Sequence, residues 1–212
     1  MQLENCRYIV VEGPAGAGKA NLARKLAERL HATTLLEKPE TNPFLSRFHR
    51  DPQRYALPTQ LSFLLQRAGQ ISQLLQEEAL AVPTVSDFMF DKDLLFAELT
   101  LPEDELRLYR SIYSLYVPQV PRPDLVIYLQ VPVAQLQQTL QRRGNAYEQD
   151  ISENYLRRLT DGYARYFHQY HHSPLLIVNS ANLDFVDSAD DFELLLHSLR
   201  QMRGGREFLN RG

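Results

Sequence analysis

Cysteine occurs once in 212 residues, at Cys6, and tryptophan not at all. A single cysteine builds neither a disulfide framework nor a cysteine-based zinc site, which fits a reducing, cytoplasmic setting. Long apolar runs are missing: none approaches the roughly 18–20 residues that a membrane span needs. The mixed, polar stretch Met1–Arg7 lacks a secretory pattern. Excess charge is missing too. Lys+Arg 23 against Asp+Glu 26 leaves a formal net charge of -3, a poor match for the backbone of a polymeric nucleic acid. With 44% hydrophobic and 23% charged residues, the composition is globular rather than disordered. The length suits one domain with a full core, taken as residues 1–202, followed by a flexible tail over 203–212.

Glycine is scarce, and its distribution is informative. Three of the nine, Gly13, Gly16 and Gly18, fall within six residues. They follow Tyr8-Ile9-Val10-Val11, a β-branched run that reads as a fully buried strand. They precede Leu22, Leu26 and Leu30, whose spacing predicts a helix. Further apolar runs predict strands at Thr33–Leu36, Thr84–Ser86, Leu125–Leu129 and Leu175–Val178. Helical patterns lie between them: a short one near 44–49, then 92–99, 103–116, 133–142, 151–171 and 186–201. The longest places Leu57, Leu61, Leu64, Leu65, Ala68, Ile71, Leu75 and Ala79 on one face, and Pro83 ends it. Strands alternating with helices predict an α/β fold, a five-stranded parallel sheet with helices on both faces. Ligands of such sheets bind beyond the carboxyl ends of the strands, where the glycine loop, Glu37 and Asp87 should converge.

Gly13-Pro14-Ala15-Gly16-Ala17-Gly18-Lys19 fits the phosphate-loop pattern G-x-x-x-x-G-K in its required strand-to-helix setting. Glycines let backbone N–H groups turn toward phosphate oxygens, the helix N-terminus adds a favourable dipole, and Lys19 supplies charge. The residue after the lysine is normally Ser or Thr, a Mg²⁺ ligand. Here it is Ala20, followed by Asn21. Either water, phosphates and other side chains hold the ion, or metal-dependent chemistry is impaired.

Several stretches, in order and at matching spacing, carry a family resemblance: Glu37-Lys-Pro-Glu-Thr-Asn42-Pro43-Phe44-Leu45, Asp51-Pro52 through Leu57 to Gln60, Gln60 with Arg67, Ser86-Asp87-Phe88-Met89-Phe90-Asp91-Lys92, Pro123-Asp124-Leu125, Arg143-Gly144 with Glu148, and Leu183-Asp184-Phe185. From about Tyr8 to Phe185 the chain resembles bacterial deoxynucleoside kinases of the deoxyadenosine/deoxyguanosine branch. The resemblance implies a P-loop fold with a lid segment, usually a homodimer, formed here through the long helices. It implies ATP with Mg²⁺ as phosphoryl donor and the 5′-hydroxyl of a small deoxynucleoside, a purine one in this branch, as acceptor.

Site roles follow from the resemblance. Glu37 is the carboxylate that accepts or orients the hydroxyl proton, with Glu40 as a second candidate. Gln60 reads the base, its amide offering donor and acceptor together; Arg67 lies near the same edge, and Phe63 packs against the base or belongs to the core. Asp87 lines the acceptor site. The arginine that commonly follows that acid is replaced by Phe88, and Lys92 takes the phosphate role. Arg143 and Glu148 match the lid, Glu148 meeting the sugar. Asp184 and Phe185 match the donor-binding segment. Asn145, Thr139 and His49 stand where the family has two arginines and a tyrosine, and Arg142 is a partial substitute. His171-His172 reads as a helix end rather than a metal site. A working, diverged kinase is the leading expectation. The alternative is a non-catalytic nucleotide-binding homologue serving as sensor or partner subunit. A nucleoside monophosphate kinase would call for more arginines near Asp87 than are present.

Overall fold

The computed structural model describes residues 3–76 and 82–211; Ala79 of the long helical stripe and Gly212 of the tail lie outside them. Among the described residues six strands form one sheet: β1 (Tyr8–Glu12), β2 (Thr33–Leu35), β3 (Thr84–Ser86), β4 (Leu125–Gln130), β5 (Leu175–Asn179) and β6 (Arg206–Asn210). Their order is β2-β3-β1-β4-β5-β6, and every pairing is parallel. The helices are α1 (Lys19–Leu30), α2 (Leu45–Arg50), α3 (Pro52–Gln76), α4 (Lys92–Thr100), α5 (Glu103–Tyr113), α6 (Val133–Arg143), α7 (Glu153–Gln169) and α8 (Ala189–Gln201).

The sixth strand corrects the expected five. It occupies Arg206–Asn210, where the sequence reading placed a flexible tail. Gly204-Gly205 turn the chain, Leu175 N–H donates to the Gly205 carbonyl at 2.9 Å, and β6 pairs along β5 from Arg206 to Asn210. As an edge strand it buries only Leu209 and leaves Phe208 exposed. Its sequence therefore lacks the continuous apolar run that marks an inner parallel strand.

The period-two alternation of the strands divides the core. Ile9 and Val11 face α1 and α8, meeting Leu22, Leu26, Leu195 and Leu199. Tyr8 and Val10 face the opposite side, meeting Tyr163 and Phe167 of α7 and Leu95 of α4. A third apolar cluster joins α2, α3, α4 and α5 through Phe48, Leu64, Ile71, Ala97 and Tyr109. The stripe of α3 is only partly used: Leu64 and Ile71 are buried, but Leu65 is 55% and Leu75 43% exposed.

After β1 the chain crosses to β2 and β3 on one side and later to β4 on the other, so a crevice opens beyond the end of β1. The glycine loop lies in it. A Cβ on Gly13 would sit 2.8 Å from the carbonyl oxygen of Leu129 in β4, and Gly16 combines φ +88 with a Cβ position 3.0 Å from the Leu136 carbonyl. Neither neighbour is a flexible side-chain end, so both positions demand glycine. Gly13→Ala should destabilise the fold by about 1–3 kcal/mol, lowering Tm by roughly 2–10 °C, and should displace the loop. Calorimetric melting together with ATP titration checks both effects.

Candidate active site

Three strands end in a carboxylate at the crevice: Glu12 ends β1, and Glu37 and Asp87 lie just past β2 and β3. Glu12 is fully buried and ties the crevice together. Its Oε1 accepts from Gly13 N–H at 2.9 Å and from the Tyr163 hydroxyl at 3.0 Å, and its Oε2 from Met89 N–H at 3.1 Å. The first amide of the phosphate loop is thereby locked to the segment after β3.

Glu37 is positioned by its backbone before its side chain acts. Its N–H donates to Asp87 Oδ1 at 2.7 Å. The flanking carbonyls accept from α3, Leu36 from Gln70 at 2.8 Å and Lys38 from Gln66 at 3.1 Å. Asn42, further along the loop, donates to the Thr59 carbonyl at 3.1 Å, beside Pro58, which interrupts the amide ladder of α3.

The Glu37 carboxylate sits between two cations. Oε1 takes the Arg67 guanidinium, with Nε at 2.9 Å, and Oε2 takes Lys92 Nζ at 3.0 Å. Burial alone would raise its pKa, but Arg67, Lys92 and Lys19 outweigh that and hold it far below the usual carboxylate range. The other arm of Arg67 binds Asp93 Oδ1. Asp93 is fully buried, and burial lifts its pKa to about 6 even beside Arg67, whose charge it shares with Glu37. Among the described residues nothing hydrogen-bonds Thr59 Oγ1, and the Tyr109 hydroxyl lies beside the Asp93 carboxylate. Gln60 Nε2 reaches Thr100 Oγ1 at 3.4 Å. Lys19 Nζ donates to the Pro14 carbonyl at 3.0 Å, and burial together with nearby Lys92 lowers its pKa.

Two cavities flank the glycine loop, and the first of them adjoins this cluster. One, about 430 Å³, is lined by Gly13, Lys19, Ala20, Glu37, Glu40, His49, Gln60, Phe63, Arg67, Asp87, Lys92, Arg143 and Glu148, so every expected acceptor-side residue meets in it. The other, about 610 Å³, lies across the loop and is lined by Ala17, Thr139, Arg142, Arg143, Asp184 and Phe185. Gly16, Gly18, Asn21 and Arg143 line both. The lid stretch joins α6 to α7: Arg143 lies 3.7 Å from Glu148, and Asn145 Nδ2 donates to Glu148 at 2.9 Å.

Asp93, Glu12 and Tyr163 escaped the sequence reading. A signal existed for each acid. Glu12 ends an apolar strand as Glu37 and Asp87 do, and Asp93 follows Lys92 at the start of a helix whose only other charged residue is Glu98.

A parallel sheet with a glycine-rich loop at its switch point, facing a clamped carboxylate, is the architecture of the phosphate-loop kinase fold. Comparison with known families narrows this. The family model described as deoxynucleoside kinase matches residues 9–202, so the chain belongs to the deoxynucleoside kinase family. It is 28% identical over 200 residues to a deoxyguanosine kinase of Bacillus subtilis, covering 92% of this chain and 97% of that one. It is 30% identical over 194 residues to a deoxyadenosine kinase of Lactobacillus acidophilus, covering 85% and 88%. The solved deoxyadenosine kinase of M. mycoides with bound dCTP shares the fold at a TM-score of 0.79 and 21% identity, over 92% of this chain and all of that one.

His49 makes the site sensitive to acid. Burial beside Phe48 and Tyr155 lowers its pKa from an ordinary 6.5 to about 4, against a small opposing pull from Asp150. The unfolded chain therefore binds this proton first. The stability His49 contributes is complete above pH 6.5 and is lost as pH falls toward 4. Between pH 7.5 and 5 the native protein should lose on the order of 1 kcal/mol relative to His49→Asn, read from paired urea unfolding curves. Equal losses in the two proteins would refute this assignment.

Proposed function

We propose that the protein transfers the γ-phosphoryl group of ATP to the 5′-hydroxyl of a deoxynucleoside, with a purine preferred. The observation that carries this reading is the placement of Glu37, Lys19 and Lys92 on one cavity, with the anion loop as its floor. The purine preference is supported by the names of the Bacillus subtilis and Lactobacillus acidophilus relatives, a deoxyguanosine and a deoxyadenosine kinase.

The chemistry follows from the charges. The O5′ oxygen attacks the γ-phosphorus, the bond to the bridging oxygen breaks, and ADP leaves. A carboxylate held as firmly ionised as Glu37 is a weak base, so its part is to accept a hydrogen bond from the 5′-hydroxyl and aim it. Both its oxygens already meet cations, but a carboxylate offers about four lone-pair sites. The proton departs once the new P–O bond is forming, as suits a loose transition state. Lys19, Lys92 and Arg143 answer the charge on the phosphates. Gln60 and Arg67, which both line the cavity, offer donors and an acceptor to the base edge, with Asp93 holding Arg67 from behind.

The residues fit a magnesium ion partly. Ala20 offers no oxygen, but Asp87 lines the cavity, where burial raises its pKa against the opposing pull of the Glu37 N–H, Lys19 and Lys92. Asp87 would hold the ion or its water shell. When bound, Mg²⁺ neutralises charge on the phosphates. The exposed Leu65 and Leu75 suit pairing with a second copy through α3.

A panel of four deoxynucleosides with ATP and Mg²⁺ tests the reading. Deoxyadenosine or deoxyguanosine should give the 5′-monophosphate and ADP, and Glu37→Gln should cut kcat by about 10²-fold or more while ATP still binds. No turnover on any of the four, with ATP binding intact, would favour the non-catalytic alternative. If the missing hydroxyl at Ala20 weakens ion binding, Ala20→Ser should raise the rate at limiting Mg²⁺ and leave it unchanged at saturation. A flat response at limiting Mg²⁺ would mean that water already fills that position.

A further inference from the structure

The loop between β5 and α8 carries Asp184 and Phe185 and forms one wall of the larger cavity. It is held from several sides. Asp184 Oδ1 closes the turn by accepting from Val186 N–H at 2.9 Å and Asp187 N–H at 3.0 Å. Lys25 of α1 donates to the carbonyls of Phe185 at 2.7 Å and Val186 at 3.0 Å. Asp191, in the first turn of α8, accepts from Asp184 N–H through Oδ2 at 2.8 Å. Its other oxygen, Oδ1, is bound by Arg211, one residue past β6. Asp191 is buried, whereas Arg211 is half exposed. The sixth strand thus delivers a cation to the buried carboxylate that anchors the loop.

We propose that Arg211 is a positioning residue for this loop, acting through Asp191, and that β6 thereby sets the affinity for the nucleobase end of the phosphoryl donor. The identity of that ligand rests on the kinase reading above. A buried carboxylate deprived of its counter-charge is costly to keep in place. Without Arg211, the Asp191 carboxylate retains the Asp184 N–H and the positive end of α8, while the backbone N–H of Asp191 still donates to Ser188 Oγ at 3.2 Å. Turning toward water relieves the cost but releases Asp184 N–H, and Phe185 moves with it. The phosphate loop and Glu37 belong to other elements and stay in place. The effect should therefore fall on the base subsite alone.

The test compares native protein, R211Q, R211K and R206Q by calorimetric titration with ATP and with inorganic tripolyphosphate, alongside steady-state kinetics. Arg206 lies on the same strand but donates to the Tyr170 carbonyl, away from the loop, so R206Q controls for general loosening of β6. R211Q should weaken ATP binding and raise KM for ATP roughly three- to fivefold, the size expected for a half-exposed ion pair. Its kcat, its KM for deoxynucleoside and its tripolyphosphate affinity should not change. R211K should give a smaller shift and keeps the test open if R211Q misfolds. Unchanged ATP affinity in R211Q, an equal shift in R206Q, or an equal loss of tripolyphosphate affinity would each overturn the proposal. Native protein that binds ATP but phosphorylates no deoxynucleoside would defeat the kinase reading, and the calorimetric comparison would still decide the role of Arg211.

Discussion

The site depends on one buried ionic cluster in which Arg67 bridges Glu37 and Asp93 while Lys92 closes the far side of Glu37. Two acids and two bases nearly balance in charge, and that balance makes the burial tolerable. Desolvating a single such ion costs several kcal/mol, and the pairing returns that only when every partner is in place. Such a cluster adds little to net stability but strongly penalises any arrangement that separates its members. The members come from the β2–α2 loop, α3 and α4, so the cluster fixes three elements with respect to one another. Lysine would not serve at position 67. A planar guanidinium reaches two carboxylates at fixed angles, whereas an ammonium is a single point of charge.

Backbone anchoring lets the cluster form without strain. Gln66, Arg67 and Gln70 occupy one face of α3, and the two glutamines hold the carbonyls on either side of Glu37. The loop is therefore in position before its carboxylate meets a cation. Glu12 does the same for the opposite wall, binding the first phosphate-loop amide and the Met89 amide with one carboxylate. Opposing walls held by rigid strand ends are what proximity-driven phosphoryl transfer requires, since misplacement by about 1 Å can cost on the order of a hundredfold in rate.

The inner strands and the phosphate loop were legible because each is a local signal: a continuous apolar run, or glycines and a lysine at fixed spacing. Glu37 and Asp87 were legible as acids at strand ends. What escaped depends on contacts between distant residues. β6 has the sequence of an exposed edge and becomes a strand only through its register with β5. The stripe of α3 read as one apolar face, and Leu65 and Leu75 on it are exposed, because periodicity reports an apolar face and not what covers it. Asp93 is the most telling omission. Its function is to share Arg67 with Glu37, 56 residues earlier, and no spacing rule expresses that.

The departures at Ala20, Thr139 and Asn145 remove a hydroxyl and two positive charges from expected positions. Charge, however, acts by distance and not by sequence position. Arg142 lines the larger cavity, and Arg143 lines both, so the end of α6 still presents two guanidinium groups where the cavities meet. Gly144 ends that helix with φ +66, turning the chain so that Asn145 and Arg143 both approach Glu148. On the proposed reaction, Asn145 exchanges a direct phosphate contact for control of the acid assigned to the sugar. On that reading Arg142 offsets one of the two lost charges, and position 145 serves to align the acceptor instead of the phosphates.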